Sequence, residues 1–567
     1  MSAQADFLKQ QPPPLPARPI KFPTANETIL PNGLMVIVAE DSRLPLISYR
    51  LAFRTGDAHD PVDLPGLMDM MTGLLTEGTE SRTSREIADE VARLGATLQA
   101  GANSDYTTVA ASSLTIFGDK VLELLADVAL RPIFPASEVD LVKQNTKESL
   151  KQQRAQPSFL ASEMTARVMF GEHPYHVTSP SPESVDATTR ERLVDFHRLM
   201  FVPNNAVLFV AGDVQHDSIL QQIESLFGGW QPGNVTSDQF PAPPTRTSRK
   251  AYIVDRPGSA QANIVISNAG ITRTSPDYFP MLLMHTVLGA NASSRLFMNL
   301  REEKGYTYGA YSSLDARRTA GTFRATAEVR TAVTGDSLKE FFYELNRIRN
   351  EQVSEKEIGD AKSYLTGVFP LRLETQEGLV DQLLQIKMFG LPQDYLEAYR
   401  SRIQAVTIEQ LQDVARKYVT PDAAAVVIVG DGAQLLAQVK PYAEDIEFYS
   451  TTGKKKNPPA PASDSPAAAL AGNWSLLIET PLGQSIPATL ELQNTGKGFS
   501  GKVTSEMGNG ELLSMTFDGE SFTGTIAFDV AGQTMEAQIV GKLIGGQMEG
   551  NVTLENAPPL PFTGNKT

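Results

Sequence analysis

Two stretches of this chain, 218 residues apart, follow one plan, and nothing else in the sequence constrains the fold as strongly. Laid over residues 407–431 without a gap, residues 189–213 of the 188–213 stretch match Leu193 to Leu411, Asp195 to Asp413, Arg198 to Arg416, Pro203 to Pro421, Gly212 to Gly430 and Asp213 to Asp431. In each copy a helical pattern closes at a proline and runs into a continuous apolar segment, Ala206–Ala211 or Ala423–Val429, that reads as a buried strand. A repeat this long is a whole domain and not a solenoid unit.

The opening of each copy fits the same plan. Residues 33–39 and 47–54 read as strands flanked by turn residues, as do 250–255 and 263–269 in the second copy. Helical patterns follow at 84–94, 120–129 and 138–154, the first with Thr83 and Glu86 as a capping box and Ile87, Val91 and Leu94 facing inward. Strands and helices in mixed order predict an α+β fold of two homologous α/β sandwich domains, with helices on one face of a mainly antiparallel sheet. The first domain is expected over 25–230 and the second over 249–450, with a Pro-rich connection at 231–248 and a Pro-rich arm at 1–24. Residues 451–466 read as a semi-extended linker. From 467 to 567, short alternating segments recur between Gly, Asn and Asp turns: 473–479, 488–493, 499–504, 512–517, 521–528, 534–540 and 546–554. They predict an all-β, barrel-like accessory domain. It either encloses a ligand or is packed solid, and packing is the expectation.

Composition narrows the function. A formal charge of −16 argues against nucleic acid and anionic membrane surfaces as partners. With no cysteine there is neither a disulfide nor a Cys-ligated metal. No run of roughly 18 apolar residues is present, so no transmembrane segment is expected. Ala3-Gln4-Ala5 looks like the small-residue end of a removed secretory signal, so the expected location is periplasmic or secreted.

Residues 66–79 hold a helical segment, with Leu67, Met70, Met71, Leu74 and Leu75 on one apolar face and positions 69, 72, 73 and 76 on another. The frame Gly-Leu-x-x-x-x-x-x-x-x-x-x-Gly-Thr resembles the zinc helix of the insulinase/pitrilysin-type peptidases, whose inverted His-x-x-Glu-His order defines the inverzincins. The resemblance covers about residues 25–450. In that frame Asp69 stands for the first His, Thr72 for the general base and Gly73 for the second His. Glu148, 75 residues after Gly73, occupies the register of the family's third ligand. Asp69 and Glu148 are too few for a tetrahedral zinc site, so no metal is expected in this chain.

Residues 293–308 resemble the family's Ser-Arg-Leu-Phe…Leu-Arg-Glu segment, and Arg301 and Tyr308 match its Arg/Tyr pair in type and spacing. The resemblance implies that the two reach a zinc site across a cleft and stabilise the oxyanion of amide hydrolysis. A plainer reading pairs Arg301 with Glu302 or a neighbour and packs Tyr308 at a strand start. Residues 97–107 resemble the family's substrate edge strand, with Leu98, Gln99 and Ala100 as the pairing residues and Gln99 where the family has Asn. The 171–176 segment matches a further landmark; His173 and His176 read as part of a helix-ending turn.

The resemblance implies two domains forming a clamshell, and a non-catalytic subunit of a heterodimeric zinc metallopeptidase. A sister subunit would carry His-x-x-Glu-His and the zinc, and an extended peptide would be the substrate. The chain is expected to be inactive alone and active only beside that partner. The alternative is a non-enzymatic structural or peptide-binding protein that keeps the fold, as family members in respiratory complexes do. An independent peptidase with an unusual metal site at Asp69 and Glu148 is the remaining reading.

Overall fold

The computed structural model describes residues 25–459 except 236 and 237, and residues 469–566 except 481–483, 496–497, 507, 531–532, 545 and 555–556. The arm expected over 1–24 and residues 460–466 of the expected linker lie outside the described residues. The chain divides into two compact units at Pro458.

The first unit holds both repeats. Strands β1 (Ala25–Ile29), β2 (Met35–Glu40), β3 (Leu46–Phe53), β4 (Thr97–Ala102), β5 (Thr107–Leu114) and β6 (Ala206–Gly212) form one sheet in the order β1-β2-β6-β3-β5-β4. The second sheet contains β7 (Lys250–Asp255), β8 (Gln261–Ala269), β9 (Thr307–Ala316), β10 (Gly321–Arg330), β11 (Ala425–Gly430), β12 (Asp445–Tyr449) and the short β13 (Lys455–Lys456), ordered β13-β12-β7-β11-β8-β10-β9. The repeat is therefore topological. In each half the strand after the proline, β6 or β11, inserts parallel to the half's first long strand and antiparallel to its second. Every residue of β6 and β11 is buried, as befits a strand covered on both faces.

That double cover is where the structure departs from the expected one-faced sandwich. Each sheet carries its own half's helices on one face, over cores built on Val36, Leu51 and Leu208, or on Ile253, Ile264 and Ile428. The opposite face is closed by a helix from the other half. Helix Pro157–Phe170 of the first half lays Leu160, Ala161 and Met164 on Tyr252, Val265, Val427 and Val429 of the second sheet. Helix Gln376–Phe389 of the second half lays Leu379, Val380, Leu384 and Met388 on Ile37, Val207, Phe209 and Ala211 of the first. Each such side chain contributes roughly 1.5–3 kcal/mol on burial. A helix's worth of them rivals the whole stability of an ordinary domain, about 5–15 kcal/mol. The two halves hold each other's sheets closed.

The connection at 231–248 has neither helix nor strand among its described residues, yet it is fastened. Asp238 lies 2.8 Å from His59 Nε2 and 2.9 Å from Arg318, so one carboxylate joins both halves. Phe240 meets the rings of His59 and His173 edge-on. The start of the expected 451–466 linker also belongs to the body, because Lys456 pairs with Phe448 and adds β13 to the second sheet.

The second unit is a closed barrel of eight antiparallel strands, β14 (Gly472–Glu479), β15 (Ser485–Asn494), β16 (Phe499–Ser505), β17 (Gly508–Phe517), β18 (Ser521–Val530), β19 (Gln533–Ile544), β20 (Gln547–Leu554) and β21 (Leu560–Lys566). Seven of these were legible from alternation. The eighth, β21, carries Pro561 and was not among the expected segments; it pairs with both β20 and β14 and closes the ring. Trp474, Leu490, Phe522, Met548 and Phe562 fill the interior. An eight-stranded barrel has a lumen just wide enough for side chains, and here side chains take it.

Candidate functional site

The altered zinc-frame helix spans Leu67–Leu74. Asp60 caps it, accepting the backbone N–H groups of Gly66 at 2.6 Å and Met68 at 2.8 Å. Gly66 is required there: its φ is 90°, and a Cβ would meet Pro180 at 2.6 Å. Leu67, Met68, Met70, Met71 and Leu74 are buried, and the helix packs against β4 and against helix Ala136–Arg154, which bears Glu148. Asp69 and Gly73 face outward, but Thr72 does not share their open face. Thr72 is buried, and its hydroxyl donates to the Asp69 carbonyl at 3.0 Å. A hydroxyl spent on its own helix cannot serve as a base. A Cβ at Gly73 would meet nothing within 4 Å, so nothing crowds the root of a side chain at that position.

Glu148 accepts from Lys151 at 2.7 Å on the exposed side of its helix. Asp69 is open to water yet walled by protein; that crowding, with Asp57 nearby, pushes its carboxyl up to about 6. Among the described residues no group of three His, Cys, Asp or Glu side chains is placed to hold a metal. One carboxylate, a spent hydroxyl, a glycine and a lysine-paired glutamate do not fit zinc.

Strand β4 is the edge of the first sheet, paired with β5 alone. Gln99 is exposed, whereas Leu98 and Ala100 pack half-buried over the core. The outer edge of β4 thus presents unpaired backbone groups beside the altered helix, the geometry that accepts an added strand.

Arg301 and Tyr308 sit on a segment held rigidly at other points. Arg295 is buried and forks onto Glu357 at 2.7 and 3.1 Å, and Glu357 also caps helix Glu355–Leu371 through the Ser354 N–H. Asn299 donates to Glu344 at 2.9 Å and Glu340 at 3.1 Å. Residues Met298–Glu303 form a π-turn, a bulge that commonly marks functional positions. Gly305, with φ of 63°, turns the chain into β9, the edge strand of the second sheet. Against this framework Arg301 is half-buried and makes no hydrogen bond or ion pair among the described residues. Tyr308 is 88 % exposed and does not pack at its strand start.

The 171–176 segment is a turn after helix Pro157–Phe170. His173 packs against Tyr175 and Phe240, and its Nε2 lies 3.0 Å from Thr319 Oγ1. Burial holds its ring down to about 4, so it is neutral. Tyr175 hydrogen-bonds Asp105, and Arg317 stacks over both Phe170 and Tyr175. Sequence reasoning missed this polar seam, because its members lie far apart in the chain and meet only where the halves join. It also missed a cavity of about 640 Å³ between the halves, lined by the end of β4 and by three arginines.

Exchanged α/β sandwiches, a metallopeptidase-like helix with Asp69, Thr72 and Gly73 in place of its His and Glu residues, and a segment whose Arg301 and Tyr308 have no partner among the described residues define a metallopeptidase-fold protein with an altered metal helix. The chain belongs to the insulinase family of peptidases, M16: the model described as insulinase (peptidase family M16) matches residues 35–181, and that of the M16 inactive domain matches 187–365. It is 25% identical over 398 residues to an uncharacterized zinc protease of Streptomyces coelicolor, covering 69% of this chain and 87% of that one. It is 21% identical over 423 residues to the "Probable mitochondrial-processing peptidase subunit beta" of Arabidopsis thaliana, covering 72% and 79%. Among solved structures it is similar to a peptidase M16 inactive domain from Pseudomonas fluorescens, with a TM-score of 0.67, 26% identity, and cover of 72% of this chain and 98% of that one. Among the described residues no helix is long and apolar enough to cross a membrane.

Proposed function

We propose that this chain is the non-catalytic subunit of a two-chain zinc peptidase, and that it supplies Arg301 and Tyr308 to the zinc site of a sister subunit bearing His-x-x-Glu-His. The single observation that carries the reading is a contrast within one segment. Arg295 and Asn299 are consumed by structural partners, whereas Arg301 has none among the described residues and Tyr308 stands 88 % exposed. An unengaged guanidinium and a free phenol on a rigid mount are donors awaiting an acceptor. The carbonyl oxygen of a peptide under attack is one that both can serve. The relative named as a peptidase subunit supports an assembly of more than one chain. The open edge of β4 supports extended peptide as the ligand.

The test is reconstitution. Purified chain is expected to hydrolyse no peptide, and activity is expected to appear when a His-x-x-Glu-His sister chain is added. In that mixture Arg301→Ala and Tyr308→Phe are each expected to cut kcat by about 100-fold or more, the scale of losing one oxyanion donor. Full activity of both variants would remove the assigned roles. No activity in any mixture would favour the non-enzymatic, peptide-binding reading, which the altered helix and open edge strand also suit.

A further inference from the structure

We infer that the cavity between the two halves is a carboxylate-recognising subsite for extended peptides. Its volume of about 640 Å³ falls inside the range of roughly 300–1,000 Å³ typical of ligand sites. The first half contributes Arg50 and the last residues of the β4 edge, Gly101 to Asn103. The second half contributes Arg273, Arg372 and a wall of tyrosines.

Charge decides the ligand class. Three guanidinium groups line the cavity, but only one carboxylate does, and that one, Asp381, is paired with Arg50. Among the described residues Arg273 has no acidic partner. It lies 3.9 Å from the Tyr278 ring centroid and 5.0 Å from that of Tyr395, and donates to Tyr395 Oη at 2.7 Å. Stacking fixes the plane of its fork while leaving its charge unneutralised. The Arg372 side chain is exposed and has no hydrogen-bond or ion-pair partner among the described residues. Two uncompensated arginines in one recess are unexpected in a chain of net charge −16, where carboxylates outnumber cations. Position completes the argument, since a peptide paired along β4 is brought to this recess by the strand itself.

The carboxylate has two possible sources, a free C-terminus and an Asp or Glu side chain. The inference rests on the reading that extended peptide lies along β4, so it is tested on the full-length chain without any partner. Labelled peptides of about twelve residues are compared by fluorescence anisotropy at neutral pH and low salt, with neutral or Glu-containing sequences, each with a free or an amidated C-terminus. Carboxylate-bearing peptides are expected to bind about tenfold more tightly than the neutral amidated one, the scale of one charge-assisted hydrogen bond. Arg372→Glu, at an exposed position that does not threaten folding, and Arg273→Gln are expected to erase that preference and to leave the neutral amidated peptide unaffected. A preference confined to the free C-terminus or to Glu identifies the source. Equal binding of all the peptides, binding of none, or equal weakening of all by the variants overturns the inference. Reconstituted activity with a zinc-bearing sister is scored separately, so a failed subsite and a failed subunit assignment are told apart.

Discussion

Arg295 and Arg301 lie six residues apart on one segment, and Arg295 is forked onto Glu357 at 2.7 and 3.1 Å while Arg301 touches no acid among the described residues. The two therefore separate stability from function. Arg295→Ala leaves Glu357 half-buried without its partner and is expected to lower unfolding free energy by about 2–3 kcal/mol, somewhat below the usual cost of breaking a buried pair because Glu357 is partly solvated. Arg301→Ala is expected to change it by less than about 0.5 kcal/mol. Urea unfolding of the two variants checks this; equal losses would mean that Arg301 is structural.

Gly73 is the cheapest place to alter the helix. It is interior, and a Cβ there meets open space, so Gly73→Ala is expected to stabilise the fold by about 0.5–1 kcal/mol. Refilling the frame is the harder test. Asp69→His with Thr72→Glu and Gly73→His is expected to bind zinc, whereas Asp69→His alone is not. Metal content after dialysis reads the outcome directly, and stoichiometric zinc in the unaltered chain would contradict the site described above.

The carboxyl of Asp69 is raised from 3.8 to about 6 by its enclosure and by Asp57. The folded state then keeps a proton that the unfolded chain has released, so this group's contribution falls as pH rises from about 4 to about 6 and is constant above. Asp69→Asn is expected to melt higher than the parent at neutral pH and alike near pH 4. Buried His197, held down to about 4, has the opposite sign: its contribution is lost as pH falls from about 6.5 towards 4. A gain from Asp69→Asn that is independent of pH would show that charge is not its cause.

The exchanged helices couple the halves. Leu160→Ala and Leu384→Ala, on different helices and in different cores, are each expected to cost about 2–5 kcal/mol. Each is expected to shift one shared transition of the 25–458 body and not to split it. A fragment of residues 25–230 expressed alone is expected to aggregate, because the outer face of its sheet loses Leu379, Val380, Leu384 and Met388. Removal of residues 459–567 is expected to leave the body's transition in place, since the barrel has a core of its own. Well-folded, monomeric 25–230 would refute the coupling.

Much of the fold was legible because its signals are local. The Thr83–Glu86 capping box, the proline before β6 and β11, and the alternation of the barrel strands each act within a few residues, and each appears where the spacing predicts. The loss of both imidazoles and of the glutamate at 69, 72 and 73 was equally plain, since a side chain that is not encoded cannot be supplied by packing. What sequence could not assign was partnership. Helices Pro157–Phe170 and Gln376–Phe389 were not read from the sequence, and periodicity would not say which sheet they cover; both cover the sheet of the other half. Nor could residue type distinguish Arg295, committed to Glu357, from Arg301, which has no ion-pair partner among the described residues. Hydrophobic pattern and capping are set by neighbours along the chain. Which buried face meets which, and which charge finds an acid, depend on contacts tens or hundreds of residues away, and only the folded arrangement decides them.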